Sequence, residues 1–440
     1  MVKSASAWLA ELDAVDDVPV LTTLSEEEGL LDYIVIGAGM TGASLAYHVS
    51  KLMPGTSMLV FDSRELSGGA SGRNGGISHP RPRCPFELQT VSEMKAFIID
   101  EMGAERACYK EGLAANLKYV DESSSSSTSL FENANFDPCV EMHSKLGCFS
   151  VSQSRKDSHV ASFWPAKVVK ALCASANAAS KNTIRFVPNC TVHSIDEFRS
   201  PSPPPLSSSS YVVVETSLGR VRGTKVIIAT NGYTGALVPT LQPFIRAVTN
   251  TVMCSKAPIP PQLRWGNIVT ATCGKGADEV YMNLRHDDRL LIGGFRSRQD
   301  DYGKEGDSSD VGDGDENARL AIINWLKECF PELLECVNST GGWEYEWKGL
   351  IGNTNDGLPI VGPVSLSSST DNVLQRTATA NIFGNTNDMR RIYACVGFGG
   401  HGMPRCFGLA KSLIQSIEGL EIHPVDREYL ERCKLERFMS

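Results

Sequence analysis

Gly37-Ala38-Gly39-Met40-Thr41-Gly42 has the spacing G-x-G-x-x-G, and Asp62 stands twenty residues after its last glycine. The first glycine of such a run permits a tight turn. The second lets a pyrophosphate approach the backbone, and the third lets a helix pack closely on a strand. The helix that opens there offers N–H donors and partial positive charge to phosphates. A carboxylate at position 62 can accept hydrogen bonds from the ribose of an adenosine. Next comes Ser67 to Gly76, SGGASGRNGG, where five residues of ten are glycine. A Ser/Gly linker is one reading of that stretch. A loop pressed against a ligand that tolerates no side chains is the other. Late in the chain GFGGHG places His401 between glycines. In YMNLRHDDRLLIGGF, Tyr281, Asn283 and Arg285 alternate with Met282 and Leu284, so three polar side chains share one face of a strand.

These residues need elements to hold them. DYIVIG (32–37) and MLVFD (58–62) read as buried parallel strands. TGASLAYHVSKLM between them has helical spacing, which completes a βαβ unit. A glycine-rich turn without a ligand is the alternative. VVVET (212–216) and VIIAT (226–230) read as strands, and ARLAIINWLKECF (318–330) as an amphipathic helix. Two strands around a turn at Asp287-Asp288 are expected over 281–295. The segments 122–129, 200–210, 297–317 and 365–372 are rich in Ser, Pro, Gly or acid and read as exposed loops. The first 30 residues read as a polar lead-in.

Composition narrows the classes. The chain has 440 residues, 42% of them hydrophobic and 21% charged, with a net charge of −9. That length predicts two domains or one with large insertions. The acidic balance argues against a nucleic-acid partner. No run of about 18 apolar residues predicts a membrane span. Thirteen scattered cysteines without a C-x-x-C pair fit reduced, mostly buried thiols and an intracellular, cytoplasmic protein. No metal site is expected.

A second glycine-rich loop just past the ribose acid points to FAD rather than to NAD, because the longer cofactor needs a side-chain-poor cover beyond its adenosine half. From these residues onward the sequence resembles the D-amino-acid oxidase/sarcosine oxidase family of FAD-dependent amine oxidoreductases, in its gamma-glutamylputrescine oxidase-like branch. The matches occur in order: GAGMTG, the Asp62 position, GGASGRNGG, FWPAKVVKAL (163–172), Thr191-Val192, VIIATNGY (226–233), GLIGNTNDGLPIVGP (349–363) and GFGGHGMPRCFGLAKSLI (397–414). The resemblance implies an α/β fold, a Rossmann-like FAD-binding domain joined to a second, mixed or antiparallel β-sheet substrate domain. The FAD-binding domain would comprise 31–115, 160–244 and 346–440, the substrate domain 116–159 and 245–345, with 1–30 as lead-in.

The cofactor residues it implies are Gly37, Gly39, Met40, Thr41, Gly42, Asp62, Ser63 and Arg64, then Gly69, Ala70, Ser71, Arg73, Asn74, Gly75, Gly76 and Ile77. Val192, Thr230, Asn231 and Gly232 follow, and Gly399, Gly400, His401, Gly402 and Met403 close the set. A helix opening at about Met403 would point its positive end at the flavin. His401, Arg285 and Tyr281 are the catalytic candidates. His79, Trp347 and Arg405 are the substrate candidates, with Arg81 and Arg83 near. Trp343 and Trp347 are expected as an apolar or cation–π wall, with ordinary core packing as the alternative.

The family oxidises a C–N bond by hydride transfer to flavin N5, giving an imine, and its oxidases pass the electrons to O2 with release of H2O2. Two covalent flavin attachments known in the family would fall near Gly349 and Arg73, where neither cysteine nor histidine stands, so non-covalent FAD is expected. The residues that hold the substrate carboxylate in sarcosine oxidases fall at His79 and Pro404, and the lysine that assists O2 falls at Ile292. The expected activity is therefore FAD-dependent oxidation of an amine or amino acid with O2 as acceptor. The alternatives are a dehydrogenase that uses a carrier or quinone, and a flavin monooxygenase.

Overall fold

The structure is a computed structural model of the chain. It describes residues 2–12, 18–25, 28–112, 114–119, 149–153, 160–198, 210–264, 268–273, 278–299, 312–366 and 391–438. Most of the four loop segments read from the sequence lie outside those residues. Contacts divide the chain into two compact units. The first comprises Met1–Ala14, Gly69–Val168 and Val248–Leu350. The second comprises Val15–Gly68, Val169–Ala247 and Ile351–Ser440. The division differs from the expected one, because 1–14 and 69–115 group with 248–350.

The second unit is built on an eight-stranded sheet. Strand β1 (Leu30–Ile36) lies at its centre, with β2 (Met58–Phe61) and the strand Gly219–Ile228 parallel on either side. Ile184–Val187 extends the parallel run beyond β2, and Ile392–Val396 extends it beyond Gly219–Ile228. Tyr211–Thr216 and Val192–Phe198 add an antiparallel flap. β2 reads Met-Leu-Val-Phe because both its faces are covered, and all four residues are fully buried. Helix α2 (Met40–Leu52) follows β1 directly and packs against the helix Cys406–Glu418.

The first unit carries a mixed seven-stranded sheet. Its order is Trp343–Thr354, Ile245–Pro258, Arg289–Gly294, Asp278–Leu284, Ile268–Cys273, Ala114–Tyr119 and Phe149–Gln153. The hairpin expected around Asp287-Asp288 is present, and Asp288 takes the left-handed conformation (φ 59°) that the turn requires. Met253, Met282, Leu290 and Ile292 of this sheet meet Ile322, Trp325, Leu326 and Val337 of the helices Glu316–Cys329 and Pro331–Ser339 in one core. A second core gathers Trp8, Trp164, Cys254, Leu291, Tyr345 and Trp347.

Residues 1–14 are part of the first unit, so its lead-in carries buried side chains. A short helix, α1 (Ala7–Ala10), is capped by the Ser6 hydroxyl, and Ala7 and Trp8 are buried. Among the described residues no helix is long and apolar enough to cross a membrane.

Candidate functional site

In the second unit the turn between β1 and α2 is fixed by backbone crowding. Gly37 has φ 110°, and a Cβ there would lie 2.5 Å from the Ala229 carbonyl oxygen. A Cβ on Gly42 would run into the Gly37 carbonyl. Asp62, one residue past β2, ties the turn from the side. Its Oδ2 accepts from Ala38 N (2.8 Å) and its Oδ1 from Arg64 N (2.9 Å). A carboxylate placed here can also accept from a ribose hydroxyl. α2 has no side-chain cap at Gly39 and no acid in its first turn. An anion is the natural partner of such an end. Ser67 N donates to the Ala38 carbonyl, and the fully buried Ser67 hydroxyl has no hydrogen-bond partner among the described residues. These features fit the pyrophosphate and ribose of a dinucleotide.

Three further motifs converge in the same unit. Asn231 sits at φ 46°, and its Oδ1 accepts from both Gly397 N and Phe398 N at 3.1 Å. Gly399 N donates to the Gly352 carbonyl (2.8 Å). A Cβ on Gly352 would stand 2.8 Å from Gly232 N. Residues 230–232, 351–354 and 397–402 thus form one cluster of close backbone approaches, with half-buried His401 at its edge. Arg405 is fully buried and donates to the Gly357 carbonyl at 2.9 Å. It therefore holds the Asp-Gly-Leu-Pro turn instead of facing a substrate as expected. The closing helix begins at Cys406, not at Met403. Pro404 disfavours helical geometry at Met403, the residue before it, and a turn in which Arg405 N and Cys406 N both donate to the Gly402 carbonyl leads into the helix. Met40 and Thr41 are buried in the first turn of α2, and Val192 opens its strand.

In the first unit the glycine-rich loop contains the short helical turn Ala70–Gly72 and leads through Gly76 (φ 69°) into the strand Ile77–Ser78. Asn74 bridges the loop, donating to the Ala70 and Ser71 carbonyls and accepting from Gly76 N. Half-buried His79 follows that strand. Tyr281, Asn283 and Arg285 do share one face, as their alternation demands. Asn283 and Arg285 on that face are buried under protein, and Tyr281 is half-buried. Tyr281 lies against Gly75, where a Cβ would stand 2.6 Å from its ring, and Asn283 donates to the Gly75 carbonyl (2.9 Å). Burial pushes the Tyr281 phenol up to about 12, against the opposing charge of Arg296. Arg285 is completely enclosed. Its guanidinium lies 4.8 Å from the Trp8 ring and 5.3 Å from the Trp164 ring, and bonds Glu11 at 2.6 Å. The catalytic role expected of Arg285 has no open face on which to act.

Trp347 is likewise fully buried, and its Nε1 donates to the Arg73 carbonyl (2.9 Å), so it is core rather than a substrate wall. Arg73 and Gly349, the positions at which the two family attachments would fall, are neighbours: a Cβ on Gly349 would stand 3.4 Å from that of Arg73. Two residues that the sequence reading passed over, Ser6 and Trp8, touch the loop directly. A lone tryptophan in an acidic segment was their only signal.

A parallel sheet with an uncapped, glycine-lined turn and a carboxylate after its second strand marks a dinucleotide-binding α/β fold. The family profile described as DAO, FAD dependent oxidoreductase, matches residues 32–416, and the chain belongs to that family. It is 22% identical over 348 residues to a glycine oxidase of Bacillus licheniformis, covering 75% of this chain and 84% of the relative. The crystal structure of glycine oxidase from Geobacillus kaustophilus is similar with a TM-score of 0.61 at 17% identity, over 89% of this chain and 95% of that one. L-proline dehydrogenase from P. horikoshii is similar with a TM-score of 0.61 at 16% identity, over 94% and 98%. The chain is thus an FAD-dependent oxidoreductase acting on amino compounds.

Proposed function

We propose that the protein oxidises the C–N bond of an amino acid or amine with non-covalently held FAD, and that O2 is its acceptor. Bound FAD would supply the acceptor, at N5, for a hydride equivalent from the carbon beside the substrate nitrogen, and O2 would take up the two electrons and two protons as H2O2. The residues of this chain hold and orient. Gly37, Gly39 and the first turn of α2 carry the pyrophosphate, and Asp62 carries the adenosine ribose. The 69–76 loop covers the flavin. The backbone cluster at 230–232, 351–354 and 397–402 lines its other reach, with His401 placed to donate a hydrogen bond to developing negative charge.

The observation that carries this reading is the convergence of those three separated motifs in one unit, through the Asn231 side chain and the close backbone approaches of Gly232, Gly352 and Gly399. Non-covalent binding is supported by the adjacency of Arg73 and Gly349. Neither of these neighbours has a side chain that attaches flavin. Acid precipitation should leave a colourless pellet; yellow retained in the pellet would refute it.

The activity is tested by anaerobic mixing of the purified protein with a panel of amino acids and amines, followed by air. Bleaching of the flavin band, then recolouring with peroxide release, is expected. Bleaching by NAD(P)H and by no amine would overturn the reading. A dehydrogenase is the second reading, favoured by one observation. Ile292, where sarcosine oxidases carry the lysine that assists O2, lies fully buried in the apolar core. Recolouring by a quinone or dye but not by air would select it.

A further inference from the structure

Five consecutive carbonyls of the glycine-rich loop each receive a hydrogen bond from elsewhere in the first unit. Ser6 Oγ donates to Gly72, Trp347 Nε1 to Arg73 (2.9 Å) and Trp8 Nε1 to Asn74 (2.8 Å). Asn283 Nδ2 donates to Gly75 (2.9 Å), and Phe163 N to Gly76 (3.0 Å). In a planar trans peptide the N–H points opposite to the C=O. The amides that follow these carbonyls therefore turn the other way. Those of Arg73 and Gly76 bond the Ala70 carbonyl and Asn74 Oδ1 within the loop. Those of Asn74, Gly75 and Ile77 are the donors offered to an anionic or electron-rich ligand.

Two of the five donors come from the segment 3–12. That segment is fastened at both ends. Lys3 pairs with the strand Trp343–Thr354, exchanging backbone bonds with Glu344 and Glu346. Glu11 binds Arg285 and Arg289 at 2.6 Å. Burial pushes the Glu11 carboxyl up, but the hydrogen bonds and charges of the two arginines outweigh it and hold the carboxyl below its ordinary range. Between the fastenings Trp8 is buried, accepts from Trp164 Nε1 through its own carbonyl (2.8 Å), and lies under Gly76, where a Cβ would stand 2.6 Å from its ring.

We propose that residues 3–12 are a strap and that Trp8 and Ser6 are positioning residues for the loop, setting the outward direction of its amides and through it the affinity and electronic environment of the flavin. This rests on the reading of the 69–76 loop as the flavin's cover. The segment touches no reacting atom in that reading; it acts through the loop.

The test compares Trp8→Phe, which keeps a single aromatic ring and loses the N–H, and Ser6→Ala, which loses only a hydroxyl, with Val337→Ala, a core change remote from the loop. Each strap variant should weaken FAD binding to stripped apoprotein about fivefold, the equivalent of one hydrogen bond. Each should also shift the flavin absorption band and midpoint potential. Val337→Ala should lower the melting temperature and leave all three unchanged. Strap variants with wild-type affinity, band and potential would overturn the proposal, as would a Val337→Ala that moves them equally. Amide exchange over residues 72–77, read in the apoprotein, separates this from the flavin reading. Trp8→Phe should speed exchange there, and unchanged exchange sinks the strap whether or not FAD binds. Wild-type protein that binds no FAD would count against the flavin reading itself.

Discussion

The two glycine-rich turns of this protein are held in opposite ways. The 37–42 turn, in the second unit, is locked by backbone against backbone, with one carboxylate beside it. The 69–76 loop, in the first unit, is held by side chains from Ser6, Trp8, Asn283 and Trp347, each far away in sequence. The first arrangement is stiff, because nothing in it can rotate away. The second depends on donors that a single substitution removes, so its geometry can be adjusted residue by residue.

Gly42→Val should break the contrast most forcefully. Its side chain enters the Gly37 carbonyl, and the cost of about 3 kcal/mol corresponds to about a hundredfold loss of FAD affinity in reconstitution. Affinity within tenfold of wild type would mean that the turn yields. The loop should respond more gently. Trp347→Phe removes one donor, from Arg73, and should cost about 1 kcal/mol in denaturant unfolding.

Between these extremes lies Asn231→Ala. It removes both bonds to Gly397 and Phe398 and places alanine at φ 46°. About 2 kcal/mol is expected, with a larger fall in kcat than in thermal stability if His401 moves with the 397–402 segment.

The units should also differ in their response to acid. His48 in the second unit is buried against Phe407, with its Nε2 at 3.1 Å from that carbonyl. Burial, helped by the Lys411 charge, pushes it down to about 3. The unfolded chain takes up this proton at about 6.5 and the folded chain does not. Stability contributed by neutral His48 is thus complete above that value and falls as pH drops towards about 3. In the first unit Glu11 and Asp287 are both held low. Burial opposes this, and the charges and hydrogen bonds of Arg285 and Arg289 prevail. Their contribution is complete above about 4.3 and is lost only below it. Burial also holds His286 of the first unit below its ordinary range. Unfolding followed by a probe in each unit should therefore show both weakening below about 6.5, the second through His48 and the first through His286, with a further loss at lower pH in the first. His48→Gln should flatten the slope of the second unit, and Glu11→Gln should flatten only the further loss in the first. A single shared acid transition, unmoved by either substitution, would refute the distinction.

The same contrast explains what could be read from the chain. β1, α2 and β2 were legible because apolar runs, helical spacing and the glycine motif are adjacent and agree. The common face of Tyr281, Asn283 and Arg285 followed from period two alone. What that face meets did not, since its partners, Gly75 and Glu11, lie about two hundred residues or more away. The segment 3–12 was opaque for a plainer reason: α1 is four residues long, too short to show a period. Trp347 and Arg405 were chemically suited to a substrate, and only their complete burial shows that loop carbonyls occupy them.

The strap also has a consequence in time. Glu11 and Arg285 are separated by 274 positions, and Lys3 and Glu344 by 341. At translation rates of about 5–20 residues per second, residues 3–12 wait many seconds before the strands that receive them exist. Until then Trp8 is an unburied indole on an incomplete chain, a natural handle for chaperones. Its docking marks the closing of these two long loops, and a change in its fluorescence beside Arg285 would report that closure as it happens.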